Sequence, residues 1–294
     1  MGQAAGQPRV TVGVPVYNGE ESIGRTLDNL LAQTFVDFEI LVSDNGSTDD
    51  TEAICRRYAA NDARIRYVRQ PSNLGPAKNF RFLVDAARGN YFLWAACDDL
   101  RSADFLALNV VFLDAHPDYV ASTCPNWFED QSPATAVRFA MQGVPEQRFA
   151  SFFEHCWQSH AIFYSLIRTQ DLRQCEVLGT SFIAVDWAVD LFLASRGQIN
   201  RTGEGHAIFG RGGASQRVGA YRAFRNQWLE VVLPFYRFGA YAWKLGSSLP
   251  TGARLRLLTN LACLNLHAVK DQSVSALYQW YGRNLKPLVR KQFP

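Results

Sequence analysis

Four times in the first hundred residues, an apolar β-prone run leads into a polar turn and then, three times, into a stretch with helical spacing. The pattern predicts strands over 10–16, 38–42, 65–69 and 91–96, and helices over 20–33, 48–60 and 76–87. In the first helix Ile23, Leu27, Leu30 and Leu31 recur at helical intervals. Acidic residues open the second, as suits the positive end of a helix dipole. Pro76 starts the third and Gly89 follows its end. Neighbouring parallel strands need long crossovers, so this alternation predicts an α/β fold, a mostly parallel sheet flanked by helices on both faces. Such sheets bind ligands at the carboxyl ends of their strands. The unusual sequence sits there: PVYNGE, SDNGSTDD, QPSNLGP and CDD follow the four strands in turn.

The rest of the chain is less regular. A helix is expected over 103–115, strands over 119–124 and 161–167, a helix over 185–195, and a Gly-rich stretch over 203–213. Tail helices are expected over 218–245 and 254–270, with a weaker third over 273–289. The net charge of +3 conceals two unlike parts. Residues 216–294 hold 12 Lys/Arg against 2 Asp/Glu, a net of +10, which leaves −7 for residues 1–215. Two domains with different partners are expected, divided near residue 216. With 48% hydrophobic and 19% charged residues, the chain is neither disordered nor a coiled coil. No stretch approaches the ~18 apolar residues of a membrane span. The start, MGQAAGQPRV, lacks the apolar segment of a secretory signal. A cytoplasmic protein is expected, with the inner face of the membrane as the alternative location. The six cysteines show no zinc-ligand spacing, so free buried thiols are expected.

Two strand ends carry candidate chemistry. Asp44, ahead of Asn45-Gly46-Ser47-Thr48, can accept hydrogen bonds from a ribose hydroxyl or a base N–H, or can serve in a capped turn without a ligand. Adjacent carboxylates in Cys97-Asp98-Asp99 call for a cation or donor, or cap the next helix. No P-loop and no GxGxxG follows strand one, so a nucleotide would be held in another manner. Tyr17 can stack on a base, and Lys78 at the start of helix three can meet a diphosphate.

In order, VTVGVPVYNGEESIGRTLDNLLAQTF, FEILVSDNGSTDDT, NLGPAKNF, GNYFLWAACDD and VDWAVDLFLASRG resemble the inverting glycosyltransferases of glycosyltransferase family 2, over roughly residues 9–215. The resemblance implies a GT-A fold with a nucleotide-sugar half over about 9–100 and an acceptor half over about 101–215. It implies that Pro15, Val16, Tyr17, Asn18 and Glu20 line the nucleotide pocket, that Asp44 meets the base or ribose, and that Asn73, Gly75 and Lys78 form the far wall near ribose and diphosphate. Cys97 and Asp98 would face the donor, Asp98 holding a divalent metal (Mn2+ or Mg2+), with Asp99 and Trp187 on the acceptor side. Asp186 falls where the family carries its general base. The alternative for Asp186 is a helix N-cap, and for Asp190 an exposed helix carboxylate.

The chain departs from the family pattern at three places. Ala96 stands where the first Asp of a DxD is expected, Val185 where a Glu often precedes the base, and Gly212 where a His is often found, with His206 nearby but out of register. Trp94 is expected in the core, while Trp127, Trp157 and Trp187 are candidates to stack on an acceptor. The partners implied are a nucleotide-sugar donor, with a UDP-sugar favoured, and a glycan or lipid-linked acceptor. The basic, aromatic region 216–294 suits peripheral contact with an anionic membrane or a homodimer interface, and not nucleic acid. Two other readings remain: a non-catalytic glycan-binding or scaffold protein on the same fold, and a sugar nucleotidyltransferase. The second needs a Gly-rich basic loop after strand one, where PVYNGEES stands.

Overall fold

A computed structural model describes residues 7–210 and 228–284, with side chains to residue 272. The chain groups into two compact units, Met1–Ser181 with Val185–Gln216, and Phe182–Ala184 with Arg217–Pro294.

The first unit is built on a seven-stranded sheet. Its strands are β1 (Val10–Val16), β2 (Phe38–Asp44), β3 (Ile65–Arg69), β4 (Tyr91–Trp94), β6 (Tyr119–Thr123), β8 (Leu166–Arg168) and β9 (Gln198–Arg201), in the order β3-β2-β1-β4-β8-β6-β9. The first four are parallel, β8 runs antiparallel to β4 and β6, and β9 is parallel to β6. Helices α1 (Ile23–Leu31), α2 (Thr51–Asn61) and α3 (Pro76–Ala86) follow β1, β2 and β3, and α4 (Phe105–Ala115) leads into β6. Nearly every residue of β1 and β2 is buried, the signature of strands covered on both sides. β2 runs two residues past its predicted end, because Ser43 and Asp44 stay in register with β1 and β3. Trp94 is wholly enclosed, stacked on Phe163 with ring centroids 4.4 Å apart.

A second sheet of three short strands, β5 (Leu100–Arg101), β7 (Asn126–Phe128) and β10 (Ala207–Phe209), follows the order β5-β10-β7. Ile208 pairs with Leu100 in antiparallel register, so Gly210 comes opposite Asp98. The Cys97-Asp98-Asp99 turn is thus the link between the two sheets. Helices α5 (Pro145–His155), α6 (His160–Phe163), α7 (Thr169–Arg173) and α8 (Val185–Arg196) complete the unit.

The strand expected over 161–167 is corrected. Residues His160–Phe163 are helical and only Leu166–Arg168 is extended. A short apolar run does not distinguish a buried helical turn from a strand, and Ser165, bonding back to the Ile162 carbonyl, ends the turn.

The C-terminal unit is helical. The helix expected over 218–245 is broken: α9 (Leu229–Val232) and α10 (Tyr236–Leu245) flank Pro234, which has no N–H to donate. Conversely, the helices expected over 254–270 and 273–289 belong to one helix, α11 (Thr251–Asn284), because no Gly or Pro interrupts 271–273. Residues 218–227 and 285–289, together with Gly212, lie outside the described residues. Trp228, Leu255 and Leu266 are exposed. No helix among the described residues is long and apolar enough to cross a membrane. All six cysteines are free, but Cys263 is exposed and Cys97 half-buried, against the expectation of burial.

Candidate active site

The strand-end loops are laced together by side chains bonding to main chain. Pro15 and Val16 close β1, and Tyr17, 48% exposed, follows them. Asn18 sits at φ 51°, a left-handed conformation that asparagine tolerates. Its N–H donates to Ser47 Oγ at 2.9 Å and its Oδ1 accepts from the Thr48 N–H at 2.8 Å. Glu20 Oε2 accepts from the Asp50 N–H at 2.9 Å. The side chains of Asn18 and Glu20, expected in a pocket wall, therefore brace the β2–α2 loop. Asn45, not singled out in the sequence, joins the next pair of loops: it donates to Asn73 Oδ1 and accepts from the Leu74 N–H. Gly46, at φ 75°, lies so close to the Ser72 backbone that a Cβ would sit 3.0 Å from its carbonyl carbon.

Asp44 is fully buried with both oxygens engaged. Oδ1 accepts from the Ser47 N–H, and Oδ2 from the Tyr67 hydroxyl at 2.7 Å and the Arg69 guanidinium at 3.0 Å. Burial opposes its ionisation, but these donors outweigh burial and hold the carboxyl below its ordinary value. A base or ribose reaches this carboxylate only if Tyr67 or Arg69 gives way. Across the crevice, Asn73 Oδ1 also takes the Gly75 N–H at 2.8 Å, and Gly75 leads into α3. Lys78 is exposed in the first turn of that helix, where an anion is favoured.

At the end of β4, Asp98 and Asp99 meet different surroundings. Asp98 is half-buried under the β10 end, and a Cβ on Gly210 would lie within van der Waals overlap of its carboxylate. Asp99 is buried, not open to an acceptor as expected. Its Oδ1 accepts weakly from the Gly210 N–H at 3.4 Å, while its Oδ2 finds no hydrogen-bond partner among the described residues and lies 3.8 Å from Arg101 Nη2. Burial pushes its carboxyl up to about 7 against the pull of Arg101.

Helix α8 supplies a second acidic group. Asp186 lies in its first turn, after Ala184 at φ 63°, a conformation costly for alanine. Burial raises the Asp186 carboxyl above its ordinary value. Asp190, one turn on, is 1% exposed, so the expectation of a solvated helix carboxylate is corrected. It accepts from Ser159 Oγ at 2.9 Å, and burial, with Asp186 nearby, raises it strongly. Trp187 meets Trp157 edge to face at 4.9 Å. Burial raises the Tyr164 hydroxyl well above its ordinary value, and the charges of Asp99, Asp186 and Asp98 add to that.

No group of three or more His, Cys, Asp or Glu side chains forms a ready-made metal cage among the described residues. Asp98 nevertheless suits Mg2+ or Mn2+: such ions are commonly held by one or two carboxylates plus substrate phosphates. The residues present fit a metal whose remaining ligands come from a diphosphate. His206 stacks on Trp127.

His160, on α6, packs against Phe209 and Tyr164, and burial lowers its imidazole to about 4. A histidine depressed this way contributes stability above its unfolded value of about 6.5, lost as pH falls toward 4, on the order of 3 kcal/mol. Asp99 titrates over the same range with the opposite sign. The stability advantage of the parent over His160→Gln, from urea denaturation, is therefore expected to shrink by about 3 kcal/mol between pH 6.5 and 4; a constant difference would contradict a neutral buried imidazole.

A mostly parallel sheet ending in acidic turns, with a second small sheet beyond, defines a GT-A-type fold. The chain belongs to glycosyl transferase family 2, whose family model matches residues 11–172. It is 28% identical over 167 residues to the glycosyltransferase GlyA of Streptococcus pneumoniae, covering 56% of this chain and 22% of GlyA. The fold is similar to that of S. aureus TarS (residues 1–349), with TM-score 0.66 and 18% identity over 95% of this chain and 75% of that one. It also resembles the mannosyltransferase PcManGT of Pyrobaculum calidifontis, determined with GDP-Man and Mn2+, with TM-score 0.54 and 19% identity over 95% of this chain and 88% of that one. A TarS structure in complex with UDP-GlcNAc matches with TM-score 0.63 and 19% identity, over 86% of this chain and 71% of that one.

Proposed function

We propose that this chain transfers one sugar, with inversion, from a nucleotide-sugar to a hydroxyl of a glycan or lipid-linked acceptor. A UDP-sugar is the favoured donor. The observation that carries the reading is the family match over residues 11–172, with the acid Asp98 at the end of β4 and a second acid, Asp186, in the first turn of α8. Asp186 takes the proton of the acceptor hydroxyl as its oxygen bonds to the anomeric carbon, on the face opposite the departing nucleotide. Its raised pKa suits that role, since a base whose pKa approaches the working pH transfers protons most effectively. The bond from the anomeric carbon to the diphosphate oxygen breaks as the new bond forms. Lys78 and the α3 N-terminus receive the diphosphate, and Tyr17 offers its ring to the base. The chemistry supplied by a bound Mn2+ or Mg2+ is neutralisation of charge on the leaving diphosphate, and Asp98 would hold it.

The excess of basic residues over 216–294 supports a docking role for that region. Trp228, Leu255 and Leu266 are exposed, as is Arg256, and the occupant is an anionic membrane surface or a second copy of the chain. A cytoplasmic location, with the inner membrane face as a docking place, follows from that reading. The test is incubation with UDP-, GDP- and dTDP-sugars and Mn2+, with binding followed by calorimetry. UDP is expected to bind, and chelation to weaken that binding at least tenfold. Absence of nucleotide binding across the panel would favour the non-catalytic glycan-binding alternative.

A further inference from the structure

One cavity lies away from the donor loops. It measures about 370 Å³ and is enclosed by β7, the 131–139 segment and the turn after α5. Trp127, Phe128, Phe139 and Trp157 form its apolar walls, with Gln158 and Arg138 among its polar lining. Trp157 is 57% exposed. The cavity is at the small end of the range for small-molecule sites.

We propose that this cavity binds a sugar ring of the acceptor. A pyranose presents an apolar C–H face and an edge of hydroxyls. Aromatic faces meet the first, and amide and guanidinium groups meet the second. One contact ties the cavity to α8, the helix that carries Asp186. Trp157 packs edge to face at 4.9 Å on Trp187, the neighbour of Asp186. His160, also in the lining, lies 5.0 Å from the ring of Tyr164. A nucleobase is a poorer occupant, because Tyr17, Lys78 and the N-terminus of α3 all belong to the other loops. The inference rests on the transferase reading, but it concerns binding alone.

The test uses the full chain and a panel of methyl hexosides and methyl N-acetylhexosaminides at tens of millimolar. The readout is the tryptophan indole N–H resonances, with Trp127 and Trp157 assigned by single Phe substitutions. At least one glycoside is expected to shift the Trp157 resonance saturably, with or without UDP. Trp157→Phe keeps a ring and is expected to retain the binding, followed there through Trp127. Trp157→Ala is expected to weaken it at least tenfold. UDP binding is measured alongside, as the check that each variant is folded. Absence of any saturable shift, competition by UDP for the same resonances, or undiminished binding in the Ala variant would each overturn the proposal. Loss of UDP binding in the parent would instead strike the transferase reading, so the two failures are separable.

Discussion

Asp186→Asn is expected to lower sugar transfer by about 10²–10⁴-fold, the span typical of a lost general base. The substitution keeps the size of the side chain and its place in the first turn of α8, yet removes its capacity to take a proton. Donor binding is expected to stay within twofold, because no described contact links Asp186 to the strand-end loops that would hold the nucleotide. The pH dependence adds a second signature. Burial raises the Asp186 carboxyl, so it is protonated and idle at low pH, and the rate rises as the proton leaves. That rising limb should have its midpoint above the ordinary carboxylate range and disappear in the variant. Rates measured with saturating donor from pH 4 to 8 decide the matter. A variant within tenfold of the parent would move the base elsewhere. Asp190 is a poor substitute, since it is 1% exposed and already holds Ser159.

Trp94→Ala is expected to cost about 3–5 kcal/mol, the range for emptying a fully buried aromatic site. The ring is wholly enclosed, stacked on Phe163 and edge to face with Phe92 at 5.1 Å. At roughly 2–4 °C per kcal/mol for a domain of this size, the melting temperature should fall by about 10 °C. The same change should weaken nucleotide binding. Trp94 is the last residue of β4, three residues before the Cys97-Asp98-Asp99 turn, and its carbonyl accepts from Arg101 at 3.0 Å. Thermal unfolding and UDP calorimetry on one preparation test both effects, and an unchanged melting temperature would contradict the packing described.

The first four strands were legible because each is an apolar run closed by polar turn residues, and strand-end acids are visible as sequence. Less legible were fates decided by neighbours distant in the chain. Nothing beside Asp44 announces that Tyr67 and Arg69 occupy it. Nothing in VDWAVD distinguishes a solvated Asp190 from one buried against Ser159. Asn45 reads as an ordinary turn residue until its partner, 28 positions away, is known. The break at Pro234 was written in the sequence, but the apolar residues on either side obscured it.

The lacing of the three donor-side loops has a consequence for how a donor is sensed. Asn18 is bound to Ser47 and Thr48, and Asn45 to Asn73 and Leu74, so hydrogen bonds link the loops after β1, β2 and β3 in series. If these loops hold the donor as proposed, occupancy at the base end is expected to be felt at the diphosphate end. Uridine and pyrophosphate offered as separate fragments should show binding free energies that do not sum to that of the intact nucleotide, even after allowance for the tether. The crevice would read a donor as a whole molecule rather than as a string of independent contacts.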